Sequence, residues 1–425
     1  MYRLIWFVIC FFCLTSCKSS KEFTGFSYDP VDVTNTNDKE LDPQPKRIIG
    51  ADSPKVWVSN EFDGARANDF YALNDSTFEV YIAPENAPIN NSPWYAFKIW
   101  SDTVRMAKIQ LNYRDATHRY VPKLLSWVQA DSSWEEQWEL EVEYDSTNGT
   151  ATFDVLLAND PIIISGQPLH TSSKLKKTLW DREIIGHGFV KVREAGLSKL
   201  GRPIWELDIT EVAEDQKAPV LTLVGRQHPP EVTGYLASLI FLEELTSDSE
   251  LAKKFRQTFV VKAFPMINPD GVDLGHWRHN AGGVDLNRDW SNFNQPETRV
   301  IRDALSWMKN HDLRRMFYAI DFHSTNENLF YPINQEVKTT PDDFTQKWVG
   351  RIIENNPETE FRIEEFDTSS PIAKNWFYNT FGIDAITYEV DDSIDPEQLD
   401  SVSRSAANLL MELLLEEWEK SILEN

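Results

Sequence analysis

Hydrophobic and polar positions follow two different patterns on either side of residue 165. Between residues 51 and 165, short runs such as STFEVYIAP and GTATFDVLLA alternate apolar with polar side chains and are separated by turn sequences. An alternation with a period of two is typical of strands with one buried face, and six or more such strands favour an antiparallel β-sandwich. We therefore predict a β-sandwich domain over residues 51–165.

After residue 165 the pattern changes to strands that alternate with helices. Short apolar runs are followed by segments whose apolar residues recur at helical spacing. This order predicts an α/β domain over residues 166–425, with a doubly wound, mixed sheet. The predicted helices are Ser172–Trp180, Glu231–Leu245, Pro296–Asn310, Thr340–Asn355 and Pro396–Lys420. The predicted strands are Trp205–Ile209, Val220–Val224, Thr258–Phe264, Phe317–Phe322, Arg362–Glu365 and Ala385–Glu389.

The first fifty residues fit neither pattern. Arg3 precedes an apolar run that is too short to span a bilayer comfortably, and this arrangement predicts a signal peptide over residues 1–16. The run ends in Leu-Thr-Ser-Cys, which resembles the lipobox of bacterial lipoproteins, with Cys17 as the acylated residue. The alternative is a plain secretory signal with an incidental cysteine. Residues 17–50 are polar, lack apolar periodicity and predict a flexible tether.

Composition narrows the possible functions. The chain has 425 residues, enough for two or three domains, and its formal net charge of −25 argues against nucleic acid as a partner. All three cysteines lie within the first 17 residues, so thiolate chemistry is excluded from the mature chain. The sequence contains neither a P-loop nor a G-x-S-x-G motif, which disfavours nucleotide binding and serine hydrolysis.

Candidate chemistry begins where the predicted strand Val220–Val224 ends. His228 and Glu231 follow this strand and precede a helix, at the kind of crevice where open α/β sheets bind ligands. An imidazole and a carboxylate at this spacing can bind one metal ion, although the spacing alone often arises by chance. Catalytic zinc needs three protein ligands and one open position. His323 is the third candidate, because it ends another predicted strand at the same edge of the sheet.

The run from Met266 to Trp290 carries a resemblance to the zinc carboxypeptidase family. The chain contains that family's motifs in the family's order. The whole ordered set identifies the family far more specifically than any single motif does. They are the H-x-x-E pair His228/Glu231, the N-P-D-G turn Asn268–Gly271, Arg278, the G-V-D-x-N-R block Gly283–Arg288, His323 and Glu389. The similarity covers roughly residues 172–420. The preceding sandwich, with Asn60–Ala65 and Trp94–Phe97, is similar to the subgroup typified by the cytosolic carboxypeptidases.

The resemblance implies a zinc site and a carboxylate that orients one of its ligands. His228, Glu231 and His323 would bind one Zn²⁺ per chain. Asp285 matches the carboxylate that orients a ligand histidine in this family, and we expect that histidine to be His228.

The resemblance also implies roles in catalysis and substrate binding. Glu389 would act as general base and then general acid, and Arg278 would stabilise the oxyanion. Asn287 and Arg288 would bind the terminal carboxylate of the substrate. Lys374 matches the position that reads the substrate's last side chain, and a lysine there would favour an acidic one; a solvated loop lysine is the alternative. The family's substrate-capping tyrosine has no counterpart in residues 366–371.

These expectations combine into one hypothesis. We expect a zinc-dependent metallocarboxypeptidase of the bacterial cell envelope that acts on peptide or protein C-termini and contacts the membrane only through its lipid anchor. One alternative is a hydrolase of peptidoglycan stem peptides from the same family. A second alternative is a non-catalytic, lipid-anchored protein that binds glycans or peptides.

Overall fold

The computed structural model describes residues 35–113, 116–128, 133–365 and 368–423, without the side chains of Asp52 and residues 126–139. The predicted signal peptide and Cys17 lie outside the described residues, so their assignment stays a prediction. None of the helices in the described ranges is both long enough and apolar enough to cross a membrane.

The N-terminal domain consists of two β-sheets. Its strands are β1 Ile48–Asp52, β2 Lys55–Ser59, β3 Asp69–Ala72, β4 Thr77–Tyr81, β5 Ala96–Ser101, β6 Arg105–Asn112, β7 Lys123–Val128, β8 Ser133–Glu139, β9 Glu143–Asp145, β10 Thr150–Leu157 and β11 Ile162–Ser165. The sheet orders are β1-β2-β5-β11-β7-β8 and β3-β4-β6-β10-β9. Strand pairing is antiparallel except for β4 and β6, which are parallel. Alternate residues of β6 and β10 are buried, as expected for strands with one face on a core.

Residues 35–50 pack against both domains. Thr36 is fully buried and its carbonyl accepts a hydrogen bond of 2.8 Å from Gln295. The backbone N–H of Lys39 donates to the carbonyl of Gly282, and β1 begins at Ile48. The prediction of a flexible tether is therefore wrong for this part of the chain, because polar composition does not reveal that these groups pair with the second domain.

The C-terminal domain is built on one eight-stranded mixed sheet. Its strands are β12 Val190–Leu197, β13 Pro203–Ile209, β14 Ala218–Gly225, β15 Val260–Phe264, β16 Arg314–Thr325, β17 Leu329–Tyr331, β18 Arg362–Ile363 and β19 Asp384–Asp391, in the order β12-β13-β15-β14-β16-β19-β17-β18. Its helices are α1 Leu175–Asp181, α2 Val232–Thr246, α3 Glu250–Arg256, α4 Pro269–Leu274, α5 Pro296–Leu305, α6 Phe344–Asn355, α7 Ala373–Phe381 and α8 Pro396–Leu423. Short 3₁₀ turns cover Ser172–Lys174, Leu286–Arg288 and Ser306–Asn310.

The mixed α/β fold predicted from the sequence is confirmed. Each predicted helix and strand of this domain overlaps an observed one, whereas β12, β17, α3, α4 and α7 were not predicted. Strands β15, β14, β16 and β19 are parallel neighbours, and every residue of β14 is buried. Parallel strands at the centre of a sheet are covered on both faces, which explains their continuous apolar runs. Their carboxyl ends meet at one edge of the sheet.

Helix α2 crosses this edge at very short distance from β16. A Cβ atom placed on Gly234, in the first turn of the helix, would lie 2.1 Å from the carbonyl oxygen of His323. The hydroxyl of Ser324 accepts a hydrogen bond of 2.8 Å from the backbone N–H of Gly234, which fixes the same contact. The helix can approach the strand this closely only because residue 234 has no side chain.

We predict that Gly234→Ala destabilises the protein by about 1–3 kcal/mol, the usual cost of forcing an extra methyl group into a packed site. Gly350→Ala is the control, because a Cβ at Gly350 in α6 meets no atom within 4 Å. Replacement of a helical glycine in open space by alanine stabilises the protein slightly. Chemical denaturation of both variants measures the difference, and equal stabilities would contradict the proposed contact.

Candidate metal centre and cleft

Three potential metal ligands meet at the carboxyl edge of the parallel strands. His228 follows β14, Glu231 immediately precedes α2, and His323 lies near the end of β16. One nitrogen or oxygen atom from each residue lies within 4.8 Å of the others, and all three side chains are buried. The three residues predicted as metal ligands are therefore brought together.

The separation of the two ring nitrogens suits a tetrahedral ion. The Nδ1 atoms of His228 and His323 are 3.2 Å apart, and each lies 2.7 Å from a carboxylate oxygen of Glu231. Two nitrogens bound to tetrahedral zinc at about 2.0 Å would be about 3.3 Å apart. A set of two imidazoles and one carboxylate is also the donor set of many catalytic zinc sites. The residues present fit Zn²⁺.

An aspartate contacts the second nitrogen of each histidine. Asp285 Oδ1 lies 2.9 Å from Nε2 of His228, and Asp321 Oδ2 lies 2.8 Å from Nε2 of His323. Such contacts orient the ring and leave the other nitrogen for a metal ion. The sequence motif led to Asp285 but not to Asp321. Its position two residues before His323 on one strand was the available signal, since residues i and i+2 share a face.

A chain of buried hydrogen bonds supports Asp321. The side-chain amide of Gln227 donates to both of its carboxylate oxygens, at 2.9 and 2.8 Å. Trp290 Nε1 donates to Gln227 Oε1 at 2.9 Å, which fixes the orientation of that amide. The ring of His323 is thus held through three successive side chains.

The charges of this cluster shift the pKa values of its members. Burial disfavours charge on Glu231, yet the neighbouring His228 and His323 lower its pKa below the ordinary value. Burial also disfavours charge on His323, but Asp321 and Glu231 raise its pKa well above the ordinary value. The cluster therefore stabilises positive charge at the point where the three ligand atoms converge.

A cavity of about 290 Å³ opens beside the three ligands and is lined by residues of both domains. Arg278, Asn287, Arg288 and Glu389, all predicted as site residues, line it. The amide oxygen of Asn287 accepts from the backbone N–H of Ala373 at 2.9 Å, and Arg288 donates to the carbonyl of Asn287. These contacts fix the position of both side chains at one wall of the cavity.

Arg278 and Glu389 lie near the metal ligands. The Nε atom of Arg278 donates to Asp285 Oδ2 at 2.7 Å, so the same aspartate contacts both Arg278 and His228. Glu389 on β19 is the backbone neighbour of His323 on β16. Burial raises the pKa of Glu389 to about 8. Its Oε2 atom is buried and has no hydrogen-bond partner among the described residues, and Glu389 is one of the residues that line the cavity.

Lys374, which was predicted to contact the substrate, does not line this cavity. It lies in the first turn of α7, is fully buried and donates to the carbonyl of Pro332 at 3.0 Å. Its charge also lies close enough to the buried Asp384 to lower the pKa of that carboxyl, against the larger effect of burial. The direction in which the side chains of the first turn of α7 point depends on how the helix packs. A sequence motif does not specify this packing.

The sandwich contributes two cavity residues that the sequence did not reveal, Asn90 and Arg119. Arg119 binds Asp392 through Nε and Nη2, at 2.7 and 2.6 Å, and donates to the carbonyl of Ser324. Tyr331 also lines the cavity, and burial raises its pKa to about 12. Phe366 and Asp367, in the segment that lacks the capping tyrosine, lie outside the described residues.

Comparisons with known proteins agree with this geometry. A family model described as "Zinc carboxypeptidase" matches residues 187–408, about half of the chain. The chain is 30% identical to cytosolic carboxypeptidase 2 of Danio rerio over 211 residues, which are 45% of this chain and 26% of that protein. It is 22% identical to cytosolic carboxypeptidase 3 of Mus musculus over 339 residues, 74% of this chain and 33% of that protein. The chain thus spans only about a quarter to a third of these relatives.

Solved structures show the same fold over both domains. A metallo-carboxypeptidase from Burkholderia cenocepacia has a TM-score of 0.68 and 16% identity, covering 84% of this chain and 98% of its own. A metallo-carboxypeptidase from Pseudomonas aeruginosa has a TM-score of 0.64 and 19% identity, covering 85% of this chain and 99% of its own. The arrangement of a sandwich followed by the mixed α/β domain is therefore shared with known structures.

We predict that Asp321→Asn weakens zinc binding by about 10- to 100-fold, the usual effect of losing a carboxylate behind a ligand histidine. Asp248→Asn, at an exposed position in the loop after α2, should leave zinc affinity unchanged. Competition with a fluorescent chelator measures both dissociation constants. Unchanged zinc affinity in a folded Asp321→Asn variant would show that this aspartate does not hold His323 for the metal.

Proposed function

Because the chain belongs to the zinc carboxypeptidase family, we propose that it is a zinc-dependent metallocarboxypeptidase that hydrolyses the C-terminal peptide bond of peptides or proteins. The observation that carries this proposal is the cluster of His228, Glu231 and His323 beside Glu389, in one cavity. Such a cavity provides a metal site, a proton acceptor and cationic groups within a small volume.

Glu389 is the proposed proton carrier. Zinc, when bound, supplies Lewis acidity that polarises the scissile carbonyl and lowers the pKa of water. The carboxylate of Glu389, which lines the cavity, takes a proton from the attacking water and delivers it to the leaving amine. The peptide bond breaks as the water oxygen becomes part of the new terminal carboxylate. One carboxylate is sufficient for both proton transfers, because it is regenerated at the end.

The arginines of the cavity bind the charges of the substrate. Arg278 donates to the oxygen that becomes negative when water attacks, and its bond to Asp285 holds the guanidinium in place. Asn287 and Arg288 bind the carboxylate at the end of the substrate, for which a planar guanidinium is well suited. This requirement for a free carboxylate restricts cleavage to the chain end.

We propose that the enzyme prefers substrates with an acidic last residue. Lys374 does not support it, since that side chain is buried away from the cavity. Three arginines, Arg119, Arg278 and Arg288, line the cavity, of which Arg119 is paired with Asp392 and Arg278 with Asp285. Coulomb attraction in a partly desolvated site exceeds that in water, and it opposes the long-range repulsion from a chain of net charge −25.

The proposed location is the bacterial cell envelope, with acylation of Cys17 as the anchor. The apolar run and the Leu-Thr-Ser-Cys sequence support this proposal. Two or more acyl chains give stable attachment to a membrane. Membrane fractionation tests it, since Cys17→Ala should leave the membrane fraction and continued sedimentation with membranes would contradict acylation.

We predict that Glu389→Gln binds one zinc per chain but lowers kcat by about 100- to 10,000-fold, the contribution typical of a positioned acid and base. Release of the last residue from a peptide, followed by mass spectrometry, gives the rate, and metal analysis gives the zinc content. Glu412→Gln, at an exposed position of α8, is the matched control. A zinc chelator should abolish wild-type activity. Full activity of Glu389→Gln would exclude the proposed role.

We predict that peptides ending in Glu are cut faster than otherwise identical peptides ending in Leu or Lys, and that amidated peptides are not cut. Comparison of kcat/KM across this panel tests the preference for acidic ends and the need for a free carboxylate together. Muropeptides added to the panel test the alternative of stem-peptide hydrolysis, which predicts their cleavage in place of linear peptides. A non-catalytic binding protein predicts neither cleavage nor stoichiometric zinc.

A further inference from the structure

A carboxylate of the sandwich is buried against the backbone that carries Arg278. Glu85 lies between β4 and β5 and has no exposed surface. Its two carboxylate oxygens accept hydrogen bonds from three consecutive backbone N–H groups, those of Trp277, Arg278 and His279, at 2.7, 3.0 and 2.7 Å. Successive N–H groups that point inwards form an anion-binding concavity, which is filled here by a side chain of the other domain.

Neighbouring groups of the sandwich hold the two ends of the same loop. Arg66 Nε donates to the carbonyl of Gly275 at 2.8 Å, and its Nη2 atom lies 3.8 Å from Glu85. Asn86 donates to the carbonyl of Gly283 at 3.1 Å and contacts the ring of His279 at 2.7 Å. All of these side chains are buried. Residues 275–283, which we call the arginine loop, are therefore bound by the sandwich from the first residue to the last.

The electrostatics of Glu85 agree with a role as a fixed anion. Burial opposes its ionisation, but the neighbouring His276 and His279, Arg66 and the N–H of His279 lower its pKa to about 2. A charged acceptor makes stronger hydrogen bonds than a neutral one. The three N–H groups would otherwise be buried without partners, which is costly.

The arginine loop leads directly to the metal centre. Arg278 is the middle one of the three residues bound by Glu85, and its Nε atom donates to Asp285, which contacts His228. A small rotation of the loop backbone would move the guanidinium out of the cavity or break its bond to Asp285. Placement of a charged donor to within a fraction of an ångström is what oxyanion stabilisation requires.

We propose that Glu85 is a positioning residue, through which the sandwich domain holds Arg278 in the geometry needed for oxyanion stabilisation. This inference rests on the proposed peptidase function and deepens it, because it makes the activity of the α/β domain dependent on a side chain of the sandwich. Glu85 itself does not line the cavity, so it acts only through the loop.

The test is a set of kinetic measurements on the full chain. In Glu85→Gln, the amide can accept hydrogen bonds at only one end, so at least one loop N–H loses its acceptor. We expect kcat to fall by about 10- to 100-fold, less than complete loss of an oxyanion donor, with KM and the zinc content of one per chain little changed. Glu79→Gln is the matched control, because Glu79 lies on β4 in the same domain and pairs with Gln110. Its kcat should be that of the wild type.

A double-mutant cycle separates positioning from a general loss of stability. In an Arg278→Ala background, Glu85→Gln should lower kcat by less than about threefold, since the group that it positions is already absent. Equal fold-losses in both backgrounds would overturn the proposal. Glu85→Asp keeps the charge and shortens the side chain, so its kcat should lie between those of Glu85→Gln and the wild type. It is the variant to measure if Glu85→Gln does not fold.

Hydrogen exchange tests Glu85 independently of activity. Peptides that cover the arginine loop should exchange faster in Glu85→Gln than in the wild type, whereas β14 should be unchanged. Unchanged exchange in the loop would overturn the proposal even if kcat falls. If the wild type releases no residue from any peptide, the proposed function fails, and exchange alone then decides whether Glu85 holds the loop.

Discussion

The central constraint of this structure is the convergence of acidic and imidazole side chains at the end of three parallel strands. Glu231, Asp285, Asp321 and Glu389 surround two buried histidines within a few ångströms. Buried carboxylates are costly unless positive charge compensates them. Arg278 compensates Asp285, and a divalent cation between the three ligand atoms would compensate much of the rest. Metal binding and the stability of this region are therefore expected to be coupled.

This constraint explains several features of the fold that have no obvious connection to chemistry. Gly234 allows α2 to approach β16 closely, which brings Glu231 next to His323. The parallel register of β16 and β19 places Glu389 beside the same histidine. The sandwich contributes Arg119 to the cavity and binds the backbone of Arg278 through Glu85. Residues of both domains thus line one cavity, in which the second domain provides the candidate ligands and the first provides Arg119 and Asn90.

Helices, strands and site residues that depend on local patterns could be predicted from the sequence. Few of the site residues that depend on packing between the domains could be predicted. The three candidate metal ligands were predictable, because His228 follows a plain apolar strand, Glu231 precedes a plain helical pattern and His323 ends a second apolar run. Asp321 could have been found from its position on the strand of His323. Glu85 and Arg119 could not, since their partners Trp277 and Asp392 lie 192 and 273 residues away along the chain. The burial of Lys374 likewise depends on how α7 packs against its neighbours.

The central claim is that two histidines and one glutamate of this chain bind a single zinc ion. X-ray absorption at the zinc edge, on wild-type protein loaded with one equivalent of metal, tests it most directly. The expected spectrum shows four or five nitrogen and oxygen ligands at about 2.0–2.2 Å, with outer-shell scattering from two imidazole rings. A spectrum with one imidazole or none, or a hydrated ion with six oxygen ligands, would contradict it.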